Sequence, residues 1–516
     1  MSVALYKNVA RSVPAAQAED IADVCLIVEG AYPYVAGGVS AWVDGLIRRH
    51  ASLRFCVVAI LPEPPAPVSK YPEPPNLEAL HHLYLSAFQA GRGRSRGGAP
   101  DRKPLFDAVD TFLRNGSLAD LAQINRLLAP LVKAGHAADL LNSPLAWSLV
   151  CDLYDRAMPH ESFLHFFWAW RALFGGLVAT LGFPLPKARI YHTVSTGYAG
   201  LLAARAAAET GRPAIVTEHG IYTNERRIEI LQADWIVDTI DKGFSIHDGR
   251  RDLRDFWVAA FESYAKTCYQ ACAEVITLHE ANQVAQKTLG AQAARMRIIP
   301  NGVDYKSLSR LPQAGPAQPA TVALVGRVVP IKDIKTYLQA VHLLRAQFPD
   351  LRAWVLGPTD EQPDYHAVCR AMVAELDLAG IVEFTGKVDV TAYFPRMHVN
   401  VLTSLSESQP LSVLEAGAAG IPTVATNVGS CREILFGRRD EDPALGDGGI
   451  LTDVAAPEQT AQAIAALLGD PDRRARLGAV MQERVKRYYD LDLVDQAYST
   501  IYHRYRYTAS RTGMGG

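Results

Sequence analysis

At 516 residues the chain is too long for one core, and ordinary domain sizes imply two or three. Its residues are 49% apolar with 31 prolines spread along the length, the composition of a soluble globular protein and not of a fibrous or disordered one. A formal net charge of −2 provides no whole-molecule field for nucleic acid or acidic lipid, so any anion site has to be local.

The N-terminus carries Lys7 and Arg11 without an apolar stretch and cleavage site, so no signal peptide is expected and the cytoplasm is the expected compartment. The first apolar run, V-C-L-I-V at 24–28, has strand length. The loop after it, E-G-A-Y-P-Y-V-A-G-G-V-S-A-W, becomes helical near Val39, and Gly37 and Gly38 remove side chains where a ligand could approach the helix start. It is not the G-x-G-x-x-G dinucleotide fingerprint, which disfavours nicotinamide or flavin. A second strand, R-F-C-V-V-A-I, ends at Leu61 and is followed by a proline-rich stretch and by G-R-G-R-S-R-G-G at 91–98. That run lacks interleaved aromatics and reads as a solvated loop, not a nucleic-acid surface.

Residues from about 104 to 181 are helical in pattern, and an insertion is expected over about 62–185. Within it Phe163 to Phe183 is long enough to span a bilayer, but His165 and Arg171 interrupt it. A buried core helix is the reading, with docking to a membrane-embedded partner as the alternative. Alternation resumes with strands at 189, 214, 274 and 297 separated by helical segments, the signature of a doubly wound parallel sheet whose ligands sit outside the carboxyl ends of the strands. His219 in T-E-H-G falls at one such end. His192 occupies a comparable but weaker position, and Glu218 and N-E-R-R at 224–227 are expected at the cleft rim. Cys268 and Cys272 share a helix face without the second ligand pair of a zinc site and read as core thiols in a reducing compartment.

The proline- and alanine-rich segment 311–320 is the expected linker, and a second alternating series starts at T-V-A-L-V. Arg327 and Lys332, five residues apart after that strand, are expected to converge on one anion. Further on, V-N-V-L leads into S-L-S-E-S-Q-P-L-S-V-L-E, Ser404 to Glu415, which reads as strand, polar loop and helix with Pro410 in the first turn. Glu407 is then in the loop and Glu415 on the helix, about 7 to 8 Å of axial rise beyond Pro410. The free amides near Pro410, Leu411 and Ser412 lie between them, a layout suited to sugar hydroxyls, phosphates and ribose hydroxyls in order. A glycosidase pair is disfavoured because a helix start separates the carboxylates. The acidic runs near 440 and 490 sit in polar turns or helix starts, so no metal site is expected. Helical patterns from 456 to 506 close the series.

Together the G-R-V-V-P-I-K loop, E-S-Q-P-L-S-V-L-E, the A-G-G-V loop and the E-H-G turn resemble the retaining nucleotide-sugar glycosyltransferases of the GT-B fold, of the glycogen-synthase and sucrose-synthase type. The E-G-A-Y-P-Y-V-A-G-G-V-S-A-W and T-E-H-G-I-Y-T-N-E-R-R stretches resemble more narrowly the PelF-like enzymes of Pel exopolysaccharide assembly. The fold class so implied is α/β, with two Rossmann-like domains facing across a cleft. Residues 1–310 would form the acceptor domain with its helical insertion, 311–320 the linker and 321–490 the nucleotide-sugar domain, with 491–516 crossing back to the first. The resemblance puts Arg327 and Lys332 on the donor diphosphate, Glu407 on sugar hydroxyls, Glu415 on the ribose, Gly38 beside the phosphates and His219 near the sugar. The family's usual lysine-glycine pair reads Lys332-Asp333 here. A UDP-sugar donor (UDP-glucose or a UDP-N-acetylhexosamine) and a growing polysaccharide acceptor are implied, with no metal or other cofactor, no nucleic acid, and an inner-membrane synthase complex as a partner that would hold the protein peripherally. Two rival readings are a non-catalytic sugar-nucleotide sensor or scaffold of such a synthase, and a GT-B epimerase.

Overall fold

A computed structural model describes residues 21–86, 102–133, 140–232, 252–315 and 317–511. The Lys7/Arg11 segment and the arginine run at 91–98 lie outside these residues.

Two parallel sheets organise the chain. The first comprises β1 Ala22–Glu29, β2 Phe55–Leu61, β3 Leu77–Tyr84, β4 Ala188–Thr193, β5 Ala214–Glu218, β6 Cys272–Thr277 and β7 Met296–Ile298, in the order β3-β2-β1-β4-β5-β6-β7. The second comprises β8 Thr321–Val325, β9 Arg352–Leu356, β10 Val382–Gly386, β11 Val399–Leu402, β12 Thr423–Thr426 and β13 Gly449–Thr452, in the order β10-β9-β8-β11-β12-β13. In each, the order reverses once, between β1 and β4 and between β8 and β11. These are the switch points where loops diverge and leave a crevice.

The central strands read as unbroken apolar runs because both faces of each sheet are covered. Along β1 and β2, Cys25, Ile27, Cys56, Val58 and Ile60 face one core, while Val24, Leu26, Val28, Phe55 and Val57 face another. Helices Arg102–Asn115, Leu118–Lys133, Pro144–Ala157 and Phe163–Gly182 cover the first of these faces. The expected insertion at 62–185 needs correction, because β3 falls inside it. L-E-A-L-H-H-L-Y has no β-branched residue and buries only Leu77 and Leu83 deeply, so its sequence carries little strand signal. Strand β13 is likewise unannounced, being four residues behind an acidic loop.

Helix Phe163–Gly182 is long and apolar enough to cross a membrane, yet 67% of its most apolar window is buried inside the fold. Phe166, Trp170, Leu173, Phe174 and Leu177 supply its core face. On its other side Leu164 and Trp168 are 60% and 58% exposed, beside Trp147 at 56%. The second face of the first sheet is covered by helix Gly38–Arg49 and by the C-terminal helix Leu491–Arg511, which contributes Val494, Tyr498, Ile501 and Tyr502. That C-terminal helix leaves the second half of the chain and is tied to the first by ion pairs of Asp495 with Arg49 (2.6 Å), Arg504 with Glu274 (3.0 Å) and Arg506 with Asp23 (2.9 Å).

Candidate functional site

The carboxyl ends of the two sheets enclose a cavity of about 510 Å³. Gly38, Trp42, His219, Gly220 and Glu225 wall it from the first half of the chain, Arg327, Glu407, Ser408, Gln409 and Leu411 from the second, and Arg49, Leu491 and Val494 from the side of the C-terminal helix. Polar contacts join the walls. Ser408 Oγ donates to the His219 carbonyl, and the Asn301 amide donates to Gln409 Oε1 at 2.6 Å.

On the second-half wall, the loop after β8 is shaped by Asp333, which takes the left-handed conformation (φ 44°, ψ 55°) where the resembled family uses glycine. Aspartate tolerates that region because its short carboxylate bonds locally. Here it accepts from the Thr336 hydroxyl at 2.6 Å and caps helix Ile334–Leu344. Thr403, just past the end of β11, donates to the carbonyls of Lys332 (3.0 Å) and Asp333 (2.9 Å), which ties the two switch-point loops together. Lys332 Nζ then meets Glu407 Oε1 at 2.5 Å, and Ser404 Oγ donates to the same oxygen at 2.6 Å. With the Lys332 and Glu407 side chains 16% and 14% exposed, this pair is screened far less than a surface one.

Arg327 and Lys332 are each paired with a different carboxylate. Arg327 pairs with Glu361, and both of those side chains are about half exposed. Sequence reading missed Glu361 because the partner lies 34 residues away on another loop. Pro410 is the N-cap of helix Leu411–Ala418, one position ahead of the expected first turn, and no side chain caps this helix. The amides of Leu411 and Ser412 therefore begin the helix with their donors uncovered by protein side chains. Glu415, one turn on, is partly buried, and burial alone pushes its carboxyl up to about 7. Pro410, Ser412, Glu415, Lys332 and Gly37 stand behind the residues that line the cavity, whereas Arg327, Glu407, Leu411, Gly38 and His219 reach it directly.

On the first-half wall, Gly38 starts its helix and lines the cavity with nothing within 4 Å of the position a Cβ would take; Gly37 before it is equally unobstructed but does not line the cavity. His219 continues one residue past β5. Its ring packs edge-on against Trp42 at 4.7 Å, and its buried Nε2 has no hydrogen-bond partner. Loss of hydration lowers its pKa to about 4, so it is neutral at physiological pH. Trp42 was not singled out in the sequence, although its spacing from Gly38 puts both on one helix face.

Two further expectations are corrected. His192 is inside β4, not in a cleft loop: its Nδ1 meets the Tyr502 hydroxyl at 2.7 Å, its Nε2 meets Thr217 Oγ1 at 2.9 Å, and burial lowers its pKa to about 3. Glu218 is buried below the rim, accepting from the Tyr269 hydroxyl (2.6 Å) and Gln286 Nε2 (2.9 Å), with its pKa raised by burial. Both are strand residues one step out of phase with the cavity. Cys268 and Cys272 are buried thiols with sulfurs 3.8 Å apart. Among the described residues no group of three or more His, Cys, Asp or Glu side chains is gathered so as to hold a metal ion.

A family model described as Domain of unknown function (DUF3492) matches residues 22–294, and one described as Glycosyl transferases group 1 matches 319–470. Among curated proteins, the D-inositol 3-phosphate glycosyltransferase of Thermobispora bispora is 28% identical over 218 residues, 39% of this chain and 49% of that one. The phosphatidyl-myo-inositol mannosyltransferase of Mycolicibacterium smegmatis is 32% identical over 229 residues, 43% and 54% of the two. The chain thus spans about half the length of these curated relatives. Among solved structures, sucrose-phosphate synthase from Thermosynechococcus elongatus aligns with a TM-score of 0.55 at 19% identity, over 93% of this chain and 98% of that one. Anabaena HepE in complex with UDP aligns with a TM-score of 0.54 at 14% identity, over 93% and 98%. At such identities the likeness is one of fold, the GT-B arrangement of two Rossmann-like units facing across a cleft.

Proposed function

We infer that this chain, which belongs to the DUF3492 family through residues 22–294 and matches the group 1 glycosyl transferases over 319–470, is a retaining, metal-independent glycosyltransferase that moves a hexose from a UDP-sugar to a growing polysaccharide. The observation that carries the reading is the Lys332–Glu407 pair set against the uncapped start of helix Leu411–Ala418, in a cavity walled by both sheets. UDP in the HepE neighbour supports the choice of nucleotide.

In this proposal the donor diphosphate takes Lys332 from Glu407 and Arg327 from Glu361, and the Leu411 and Ser412 amides complete its cradle. Glu407, released, accepts from hydroxyls of the donor sugar, and Glu415 from those of the ribose. Gly38 leaves room for the phosphates, and neutral His219 offers Nε2 to the sugar. The acceptor hydroxyl oxygen bonds to the anomeric carbon as the bond to the phosphate oxygen breaks; the electron pair leaves with UDP, and the hydroxyl proton passes to the departing phosphate oxygen. The two cations and the helix amides stabilise that growing charge, which is the part of the transition state a protein can favour most by fixed dipoles. Closure of the two halves excludes water that would otherwise hydrolyse the donor.

The finer proposal is Pel-type exopolysaccharide synthesis by a cytoplasmic, PelF-like enzyme held to an inner-membrane synthase through protein contacts. The exposed Trp147, Leu164 and Trp168 support it, being large apolar side chains outside the cavity. The same side chains favour the second reading, a sugar-nucleotide sensor or scaffold on such a synthase.

A thermal-shift panel with UDP, GDP, ADP, UDP-glucose and UDP-N-acetylhexosamines tests the proposal. UDP and one UDP-sugar should raise the melting temperature, with and without EDTA. No shift with any nucleotide would overturn donor binding, and a shift without UDP release on addition of saccharides would favour the sensor. Glu407→Ala should abolish transfer in a folded protein, and Lys332→Ala should weaken UDP binding by roughly ten- to a hundredfold, the ordinary cost of a lost charge-assisted contact.

A further inference from the structure

Glu225 lies on the first-half wall of the cavity, opposite Arg327 and Glu407, on helix Tyr222–Gln232. Its carboxylate folds back over Gly220. A Cβ built on that glycine would fall 2.1 Å from Glu225 Oε1, so the absence of a side chain at 220 is what lets the carboxylate reach the cavity. The cation next to it is committed elsewhere: Arg226 pairs with Glu229 at 2.6 Å and stacks over the Tyr222 ring at 5.0 Å. Glu225 itself has no salt-bridge or hydrogen-bond partner for its side chain among the described residues. Crowding by protein raises its pKa, the charge of Glu229 adds to this, and Arg226 offsets part of it. His219, one residue past β5 on the same cavity wall, has a buried Nε2 without a hydrogen-bond partner.

Resting on the glycosyltransferase reading above, we propose that Glu225 binds the acceptor: its carboxylate takes a hydrogen bond from a hydroxyl of an uncharged sugar end, and its charge excludes an acceptor that ends in a uronic acid. The chemistry follows from position. A carboxylate on this wall would repel the donor diphosphate, so it belongs to the part of the substrate pair that carries hydroxyls without phosphate. Charged carboxylates form hydrogen bonds to hydroxyls that are stronger than neutral ones, and a sugar offers several hydroxyls at once.

The test compares the parent chain with Glu225→Gln and Gly220→Ala. UDP release from UDP-glucose and UDP-N-acetylglucosamine is measured in water alone, with cellotetraose, with the N-acetylglucosamine tetrasaccharide, and with a tetrasaccharide ending in glucuronic acid. In the parent at least one neutral tetrasaccharide should accelerate release and the acidic one should not. Glu225→Gln should raise the KM for the neutral saccharide about tenfold while UDP affinity and release in water stay within about twofold, the size expected for one charge-assisted hydrogen bond. Gly220→Ala, which displaces the same carboxylate by its methyl group, should do likewise and covers the case in which Glu225→Gln fails to fold. An unchanged acceptor KM in both variants, an equal loss of UDP affinity, or a parent that no neutral saccharide accelerates would overturn the assignment. A parent that neither binds UDP nor releases it would instead overturn the glycosyltransferase reading, and this inference with it.

Discussion

Glu415 shows what one buried carboxyl does to the balance between folding and binding. Its folded pKa is about 7 against an unfolded value of 4.5, so the folded chain holds a proton that the unfolded chain has released between those limits. The unfolded state then binds fewer protons, and stability falls as pH rises from about 4.5 to about 7 and is level above that. At about 1.4 kcal/mol for each pH unit between those two values, the effect has an upper limit of about 3.5 kcal/mol. Glu415→Gln should therefore be more stable than the parent at pH 8, by up to that amount, with the difference shrinking toward pH 5 in urea melts. The same variant should bind UDP more weakly, and an equal loss of stability at both pH values would contradict the burial argument. The sequence showed where Glu415 sits but not that it titrates near neutrality, because burial comes from packing that no local pattern records. Glu218 and His219 make the same point. They are adjacent in sequence, and strand alternation sends one carboxylate inward and one ring toward the cavity.

At the scale of elements, helix Pro471–Tyr488 braces the second sheet through one side chain. Arg484 is fully buried and binds Glu441 through two bonds, of 2.7 and 2.9 Å, while donating to the Leu435 carbonyl at 2.8 Å. Removing one partner of such a pair leaves a buried charge unmatched, so Arg484→Ala should lower stability by about 3 to 5 kcal/mol. Replacing both partners with Met and Leu should recover part of that loss in denaturant titrations. The acidic run near 440 has the local pattern of a polar turn, and its partner lies 43 residues away, beyond the reach of any local pattern. Patterned elements were legible: Ser404–Glu415 announces itself because an apolar strand, a polar loop and a proline before a helix each have a local physical cause. The strand Leu77–Tyr84 was not, since a half-exposed sheet edge without β-branched residues carries little strand signal. The left-handed Asp333 sits between these cases, its position readable and its conformation settled only by the capping bond to Thr336.

For the whole molecule, the halves meet at the cavity, through contacts such as that of Ser408 with the His219 carbonyl, and behind the first sheet through the C-terminal helix. The second joint is polar at its centre, where Tyr502 reaches His192 at 2.7 Å inside the core. Tyr502→Phe leaves that nitrogen unmatched and should cost about 1 to 3 kcal/mol, read as a lowered melting temperature with UDP affinity preserved. The overall fold was legible in the sequence because it follows from the spacing of strands, but the packing of the last helix on the first sheet was implied only by resemblance, since nothing local in its residues says which sheet they cover. That helix also sets an order in time. Val494, Tyr498, Ile501 and Tyr502 complete a core to which the first sixty residues contribute Val24, Leu26 and Phe55. At about 5 to 20 residues per second, a ribosome needs roughly 20 to 100 seconds to make the chain between them. Throughout that interval this face of the first sheet has helix Gly38–Arg49 over it but lacks the apolar side chains of Leu491–Arg511, so this core can close only late in folding.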